Sequence, residues 1–230
     1  MGARFMGLRI LGVSGSPVPN SNTDRAVKAV LKASGLESEF VKLSNLHVRP
    51  CMACKACVSD NVCKVKDDFP ELAKKVMEAD ALVIGAYIPY GQIDGFTKAF
   101  LERLWSMRHV NNLNKGKLVV IILNGLQAPG DSPRAQLANK MMKSRDEVVE
   151  AISREMRMEN MKIVGTVKII GNVPCLTCGE GPDCKMSGAR QLFGPDAEIS
   201  SKLCVAVEDQ PEVWDKINRL GKKLGKRLSK

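Results

Sequence analysis

Two hydrophobic periods alternate along this chain, and the switch from one to the other predicts its elements. Five short runs are continuously apolar or alternate with a period of two residues, as buried strands do. They occupy 8–14, 38–44, 81–87, 117–123 and 162–171. Between and after them, apolar residues recur every three or four positions, which is typical of amphipathic helices. These helical segments are 23–35, 67–80, 96–109, 134–160 and 211–228.

The regular alternation of strands and helices predicts an α/β fold with a parallel sheet covered on both faces. Five strands at this spacing fit the flavodoxin-like, doubly wound order 2-1-3-4-5. In such open sheets, ligands bind at the carboxyl ends of the strands. The loops 14–23, 86–95 and 124–133 are therefore the candidate ligand-binding loops.

The first of these loops, GVSGSPVPNSNTD (12–24), contains neither a dinucleotide fingerprint nor a Walker sequence. Its hydroxyl and amide side chains belong to Ser14, Ser16, Ser21, Asn22 and Thr23. Together with the free N–H groups of a helix N-terminus, such side chains can hold a phosphate. A turn with a helix cap needs the same residue types. The position after the first strand of a doubly wound sheet favours phosphate.

Four of the eight cysteines lie in CMACKACVSDNVC, a C-x2-C-x2-C-x5-C pattern formed by Cys51, Cys54, Cys57 and Cys63. Iron–sulfur sites of the ferredoxin type begin with the same C-x2-C-x2-C run, and here a fourth thiol follows closely. Structural zinc sites usually present two separated CxxC pairs, so the fused triple favours iron. Zinc and a redox pair formed by Cys54 and Cys57 are the alternatives.

A second cysteine-rich stretch follows the fifth strand. Cys175, Cys178 and Cys184 lie in VPCLTCGEGPDC, and Cys204 lies in the strand-like run LCVAVE (203–208). This set can form a second cluster, a zinc site completed by Cys204, or redox thiols that face a substrate. Cys204 has a further interpretation as a buried core thiol, because free cysteine is commonly buried.

Charge and composition restrict the partners. The chain has 35 basic and 25 acidic residues, a net charge of +10, and only 4% aromatic residues. The small stacking surface argues against nucleic acid, whereas the positive charge suits an acidic protein partner. The absence of long apolar runs argues against membrane insertion, and the N-terminus lacks a secretory pattern. We therefore expect a cytoplasmic protein, in which clustered cysteines serve metal or redox chemistry.

The segments SGSPVPNSNT, CMACKACVSDNVC and GFTKAFLERL together resemble the iron–sulfur flavoproteins, a branch of the NAD(P)H-dependent FMN reductases. The resemblance covers about Leu8 to Gly171. It implies FMN and one [4Fe-4S] cluster per subunit, a homodimer or homotetramer, and electron exchange with a ferredoxin-like carrier. It also implies an FMN-binding domain over 1–171 with the cluster insertion at 49–66. Residues 172–230 would add a cysteine-rich loop, a short strand and a basic helix packed on the same domain.

Carried over by position, the resemblance assigns the FMN phosphate to the first loop and the cluster to the compact cysteine motif. The loops that follow the third and fourth strands would run beside the flavin. Their candidate residues are Tyr87, Ile88, Pro89, Tyr90, Gly91, Asn124 and Gly125.

The function expected from these features is electron transfer between a ferredoxin-like one-electron carrier and an acceptor, through FMN and the cluster. Two other functions remain open. One is an NAD(P)H-dependent FMN or quinone reductase whose cysteines bind a structural metal. The other is a zinc-stabilised interaction module that carries no flavin.

Overall fold

A five-stranded parallel sheet forms the centre of the protein. The computed structural model describes residues 8–127, 136–137, 139–140, 145–180, 183–198, 200 and 203–230. The strands are β1 (Arg9–Ser14), β2 (Glu37–Lys42), β3 (Ala81–Tyr87), β4 (Leu118–Gly125) and β5 (Lys162–Ile170). Their spatial order is β2-β1-β3-β4-β5, and every neighbouring pair is parallel. This is the predicted flavodoxin-like order, which is thereby confirmed.

Helices cover both faces of the sheet. Among the described residues they include α1 (Asn22–Ser34), α2 (Phe69–Glu78), α3 (Gly95–Leu104), α4 (Arg145–Met158), α5 (Gly188–Phe193) and α6 (Pro211–Leu228). One apolar layer joins α1 and α6 to the sheet, and the other joins α2, α3 and α4 to the opposite face. The central strands β3 and β4 are apolar along nearly their whole length because both of their faces are buried.

The strand register brings the candidate loops to one edge of the sheet. Ser14 at the end of β1 pairs with Gly85 of β3, and Tyr87 at the end of β3 pairs with Asn124 of β4. Parallel strands that end in register place their following loops side by side. The loops after β1, β3 and β4 therefore share the carboxyl edge of the sheet.

The C-terminal helix α6 is amphipathic, as its sequence predicts. Ile217, Leu220 and Leu224 are buried in the apolar layer that also contains α1. Its exposed side carries most of the basic residues of the C-terminal segment, for example Lys222 and Lys226. The basic charge at this end of the chain thus forms the solvated face of a packed helix.

Two predicted elements differ from the structure, and a third is described only in part. The strand predicted at 203–208 is wrong, since this segment contains no strand. Side chains of Asn172 and Asn22 hold it instead, through hydrogen bonds to the backbone of Val205. The helix predicted at 96–109 ends at Leu104 and continues as a 3-10 turn over Trp105–Met107. Of the helix predicted at 134–160, the portion before Arg145 lies mostly outside the described residues.

No helix within the described part of the chain combines the length and the apolar character needed to cross a membrane.

Candidate functional site

The loop after β1 is held by a buried ion pair that the sequence did not indicate. Asp24, in the first turn of α1, accepts hydrogen bonds from the hydroxyl of Ser14 (2.6 Å) and the backbone N–H of Ser21 (3.2 Å). Lys42 at the end of β2 completes the network, with its ammonium 2.6 Å from Asp24. The two side chains are only 2% and 13% exposed. Asp24 and Lys42 therefore fix the loop around the start of α1.

Three of the predicted phosphate ligands have partners within the protein. The hydroxyl of Ser14 donates to Asp24, and the Asn22 amide binds the backbone of Val205 and Val207. The Thr23 hydroxyl accepts a hydrogen bond from Asn124 at 3.2 Å. These contacts show that the side chains position the loop, the C-terminal segment and the end of β4 relative to one another.

The donors directed at the loop are chiefly the backbone amides of α1. Ser21 caps the helix by accepting the N–H of Asp24, so the amides of Asn22 and Thr23 precede the first helical hydrogen bonds. The positive end of the helix dipole lies at the same place. Ser16 in the same loop is buried, and the Ser21 hydroxyl, whose oxygen accepts the N–H of Asp24, still has its own proton to donate. This arrangement suits an anion such as a phosphate group.

The loop after β3 is closed by Asp94, the N-cap of α3. Its carboxylate accepts hydrogen bonds from the backbone of Tyr87 (3.1 Å) and Thr97 (2.7 Å) and from the Thr97 hydroxyl (2.8 Å). Burial raises the pKa of Asp94 although these hydrogen bonds favour its ionised form. Burial, followed by the charge of Asp94, also raises the pKa of the Tyr87 phenol. This loop is thus a pre-formed element rather than an open coil.

The tip of the same loop presents Tyr90 to solvent. Tyr90 and Gly91 adopt left-handed backbone conformations with φ of 50° and 71°, and Tyr90 is fully exposed. Ile88 and Pro89 are half-buried, and the N–H of Ile88 donates to the carbonyl of Asn124 at 3.0 Å. An exposed aromatic on a tight turn can contact a ligand at the sheet edge, because its apolar ring lacks a protein partner.

The loop after β4 contributes Asn124, and the structure adds Arg145, which the sequence analysis missed. The Oδ1 atom of Asn124 is buried without a hydrogen-bond partner. Arg145, at the start of α4, donates to the carbonyl of Ile169 at 3.2 Å and to the side chain of Gln127. Burial lowers the pKa of Arg145. Residues 128–133 of this loop lie outside the described residues.

The four cysteines of the first motif line a single pocket. Cys51 and Cys54 are exposed, Cys63 is half-buried and Cys57 is buried. The other lining residues are Met52, Lys55, Lys64, Val65, Arg103, Trp105 and Ser106. Burial raises the pKa of the Cys57 thiol, and the neighbouring cysteines add to this effect. The motif therefore lines one pocket with all four cysteines, and their role as cluster ligands stays a prediction.

A buried ion pair attaches the cysteine segment to α3. Arg103 and Asp67 are 1% and 0% exposed, and two hydrogen bonds of 2.6 and 3.1 Å join them. Asp67 also accepts the backbone N–H of Arg49 (3.0 Å), while Arg103 donates to the Arg49 carbonyl (2.9 Å). The Phe69 ring lies 4.5 Å from the guanidinium. The two charged residues thus hold both ends of the segment.

This pocket lies away from the carboxyl edge of the sheet. The position of the cysteine motif in the sequence, after β2, would suggest a place nearer to that edge. Asp94 caps the start of α3, whereas Arg103 is nine residues further along the same helix. At about 1.5 Å per residue, the two positions are roughly 14 Å apart along the helix axis. The cysteine pocket therefore lies toward the C-terminal end of α3, away from the loop that Asp94 closes.

The residue types that line this pocket, four cysteines among basic side chains, suit an anionic iron–sulfur cluster. Four thiolates and a cluster carry net negative charge, and Lys55, Lys64 and Arg103 supply positive charge around them. The Nε–H of Arg103 is buried without an acceptor, although it belongs to a residue that lines the pocket. Among the described residues, no three histidine, cysteine, aspartate or glutamate side chains are grouped closely enough to hold a metal ion.

The second cysteine set is more dispersed. Cys175 and Cys204 pack against a small apolar cluster of Val173, Leu176 and Ala189, whereas Cys178 is exposed. Cys184 is half-buried, and the thiol of Cys178 donates to the carbonyl of Cys175 at 3.5 Å. A metal or cluster on these four residues stays a prediction.

Similarity to solved structures agrees with the topology. The protein superposes on RosB with a TM-score of 0.61 at 13% identity, and the match covers 96% of this chain and 80% of that one. A flavone reductase gives a TM-score of 0.60 at 16% identity, which covers 96% of this chain and 63% of that one. At these identities the comparisons concern the fold alone.

Sequence comparison identifies the family. An iron-sulfur flavoprotein of Archaeoglobus fulgidus is 28% identical over 209 residues, which cover 88% of this chain and 86% of that protein. One of Methanosarcina thermophila is 27% identical over 169 residues, which cover 72% of this chain and 82% of that protein. One of Methanocaldococcus jannaschii is 33% identical over 104 residues. These residues cover 44% of this chain and 54% of that relative, about half of its length. Residues 8–151 match the family model described as NADPH-dependent FMN reductase. The chain therefore belongs to the NADPH-dependent FMN reductase family and is an FMN-dependent oxidoreductase.

Proposed function

We propose that this protein transfers electrons between a ferredoxin-like one-electron carrier and an acceptor, by means of FMN and one [4Fe-4S] cluster. The observation that supports this most strongly is the pocket lined by all four cysteines of the motif. Membership in the FMN reductase family supports the binding of FMN. The relatives named iron-sulfur flavoproteins support the presence of a cluster. FMN can exchange two electrons and the cluster one, so the pair can connect the two kinds of carrier.

In this proposal the residues of the sheet edge hold FMN. The amides of Asn22 and Thr23 bind its phosphate at the positive end of α1, and the hydroxyls of Ser16 and Ser21 add donors. Asp24 and Lys42 keep that loop in place. The flavin lies beside Tyr87, Ile88, Pro89, Tyr90, Gly91, Asn124 and Gly125. The buried Oδ1 of Asn124 is an acceptor that a ring N–H of the flavin can satisfy.

The cysteine pocket serves the cluster. Cys51, Cys54, Cys57 and Cys63 are its proposed ligands, and the surrounding cations offset its negative charge. Electrons enter from an acidic carrier, which the net charge of +10 attracts. We expect the rate of this encounter to fall as the salt concentration rises. The predicted homodimer or homotetramer is testable by light scattering.

The second candidate function is an NAD(P)H-dependent FMN or quinone reductase with a structural metal at the cysteines. The family model favours it, because its description names NADPH as the reductant. In that case the flavin takes up two electrons from NADPH, and the cysteine site takes up none.

Reductive titration of the anaerobically purified protein distinguishes the two. If the proposal is correct, each chain accepts three electrons from dithionite, two at FMN and one at the cluster. Full reduction with only two electrons, together with rapid bleaching by NADPH, would support the simple reductase. Metal analysis of the Cys178→Ser variant, purified in the same way, tests the second cysteine set. A metal content below that of the wild type would support a metal site there.

Gly15→Ala is expected to weaken FMN binding by about tenfold or more, equivalent to ~1.4 kcal/mol. A Cβ atom at Gly15 would overlap the Thr97 hydroxyl and would lie 2.8 Å from Asp94 Oδ2, so the first two loops would have to separate. Fluorescence titration of the apoprotein with FMN measures the effect. Gly95→Ala is the control, because a Cβ there meets nothing within 4 Å. Unchanged affinity in Gly15→Ala would contradict the proposed flavin site.

A further inference from the structure

Arg103 is a buried cation beside the four cysteines, and one of its N–H groups lacks an acceptor. Its side chain is 1% exposed. Nη1 and Nη2 bind Asp67, and Nη1 also binds the Arg49 carbonyl. Its Nε atom is buried without a hydrogen-bond partner. A buried donor without an acceptor costs roughly 1–3 kcal/mol, so a group that satisfies it on ligand binding gains stability.

The surroundings of Arg103 indicate which acceptor it meets. The Phe69 ring lies 4.5 Å from the guanidinium carbon, and Asp67 occupies the Nη atoms. Arg103 also lines the pocket that contains the four cysteines. Cys63 is half-buried at the edge of the apolar core and lines the same pocket as Arg103. Burial lowers the pKa of Arg103, but Asp67 and Cys63 raise it, and the net shift is upward. A thiolate sulfur of this pocket is therefore the available acceptor.

We propose that Arg103 donates its Nε–H to the sulfur of Cys63 in the loaded protein and thereby holds the reduction potential of the cluster at a higher value. This inference rests on the proposed function, since it requires a cluster on the motif. Reduction adds negative charge to the cluster and its thiolates. A hydrogen bond from a fixed cation stabilises the reduced form more than the oxidised form, which raises the potential.

Arginine is suited to this role for a geometric reason. Its planar guanidinium holds Asp67 with two nitrogen atoms, and this leaves the third nitrogen in a fixed direction. A lysine at the same position carries the same charge and can pair with Asp67. It has only one nitrogen, on a flexible chain, and cannot serve both partners in the same geometry. Arg103 is thus a positioning residue that acts on the cluster through Cys63.

The test is a redox titration of the loaded Arg103→Lys variant, followed by electron paramagnetic resonance. The variant keeps the charge opposite Asp67, so we expect it to fold and to retain iron. We expect its reduction equilibrium to shift about tenfold toward the oxidised cluster, a fall of about 59 mV for one electron. Arg108→Lys is the matched control, because Arg108 lies near Trp105 but does not line the cysteine pocket. Its midpoint is expected to stay at the wild-type value.

The outcomes separate this inference from the proposed function. A wild-type protein that binds no iron–sulfur cluster would overturn both. A wild-type cluster with an unchanged midpoint in Arg103→Lys, or an equal fall in Arg108→Lys, would overturn the inference alone. If Arg103→Lys loses iron, Arg103→Gln provides the second measurement, because glutamine keeps a donor but loses the charge. A midpoint in Arg103→Gln equal to that of the wild type would then refute the inference.

Discussion

Replacing Asp67 with alanine is expected to lower the free energy of unfolding by about 3–5 kcal/mol, because it leaves Arg103 buried without its counter-ion. The pair is inaccessible to solvent, at 1% and 0% exposure, so the carboxylate rather than bulk water compensates the charge of Arg103. The backbone N–H groups of Arg49 and Phe69 lose an acceptor at the same time. For a chain of this size, the loss corresponds to a fall of roughly 10 °C in the melting temperature.

Thermal unfolding followed by circular dichroism measures this effect, and Asp215→Asn is its control. Asp215 forms an ion pair with Arg219 in which both side chains are more than 60% exposed, so its removal should change stability by less than about 1 kcal/mol. Equal melting temperatures for the two variants would show that the Asp67–Arg103 pair does not hold the cysteine segment.

Asp67 also makes the free energy of unfolding of the wild-type protein depend on pH. Burial opposes ionisation of this carboxyl group, but hydrogen bonds from Arg103 and from two backbone amides lower its pKa below the ordinary 3.8. A lowered pKa in the folded state means that the stabilisation is complete above about pH 4 and is lost as the pH falls through the folded value. The stability difference between the wild type and Asp67→Ala should therefore shrink in acid.

Cys54→Ala has the largest expected functional effect, the loss of the cluster with retention of FMN. The cysteine pocket and the flavin loops lie at different places along α3, so a defect in one need not disturb the other. Cys54 is exposed, and its truncation leaves the apolar core unchanged. Iron and flavin analysis of the purified variant measures both cofactors.

Met52→Ala is the matched control for this variant. Met52 lines the same pocket and is 56% exposed, but thioether sulfur is not one of the proposed ligands. We expect this variant to keep both iron and FMN. If Cys54→Ala retained its full iron content, or if it lost FMN as well, the assignment of separate cluster and flavin sites would fail.

The sequence predicted those parts of the structure that depend on local pattern. The strands follow from apolar runs, and the order of the sheet follows from their alternation with helices. The presence of Cys51, Cys54, Cys57 and Cys63 around one pocket agrees with their close spacing in the sequence. The position of the loops at the sheet edge likewise follows from parallel strands that end in register.

Long-range pairs of polar side chains were not predictable in this way. Arg103 and Asp67 are 36 positions apart, and Lys42 and Asp24 are 18 apart, so no local period connects them. Asp67 could only be interpreted as part of a helix start. The segment at 203–208 has strand-like composition. Side chains of other segments hold it, however, and it does not pair with a neighbouring strand through backbone hydrogen bonds. Its partner Asn22 lies 183 positions earlier.

Asn22 illustrates how the structure changes the interpretation of a predicted residue. Its position at the start of α1 favours a phosphate ligand, yet its side chain joins the C-terminal segment to that helix. The contribution proposed for phosphate binding is therefore that of its backbone amide. The same distinction applies to Ser14, whose hydroxyl supports Asp24.

The cofactor content of an anaerobic preparation tests the central claim most directly. Iron, acid-labile sulfide, zinc and flavin are measured on the same sample of the intact protein. The proposal predicts one FMN together with four iron and four sulfide per chain, and a loss of that iron in Cys54→Ala. A preparation with FMN and zinc but without iron and sulfide would contradict it.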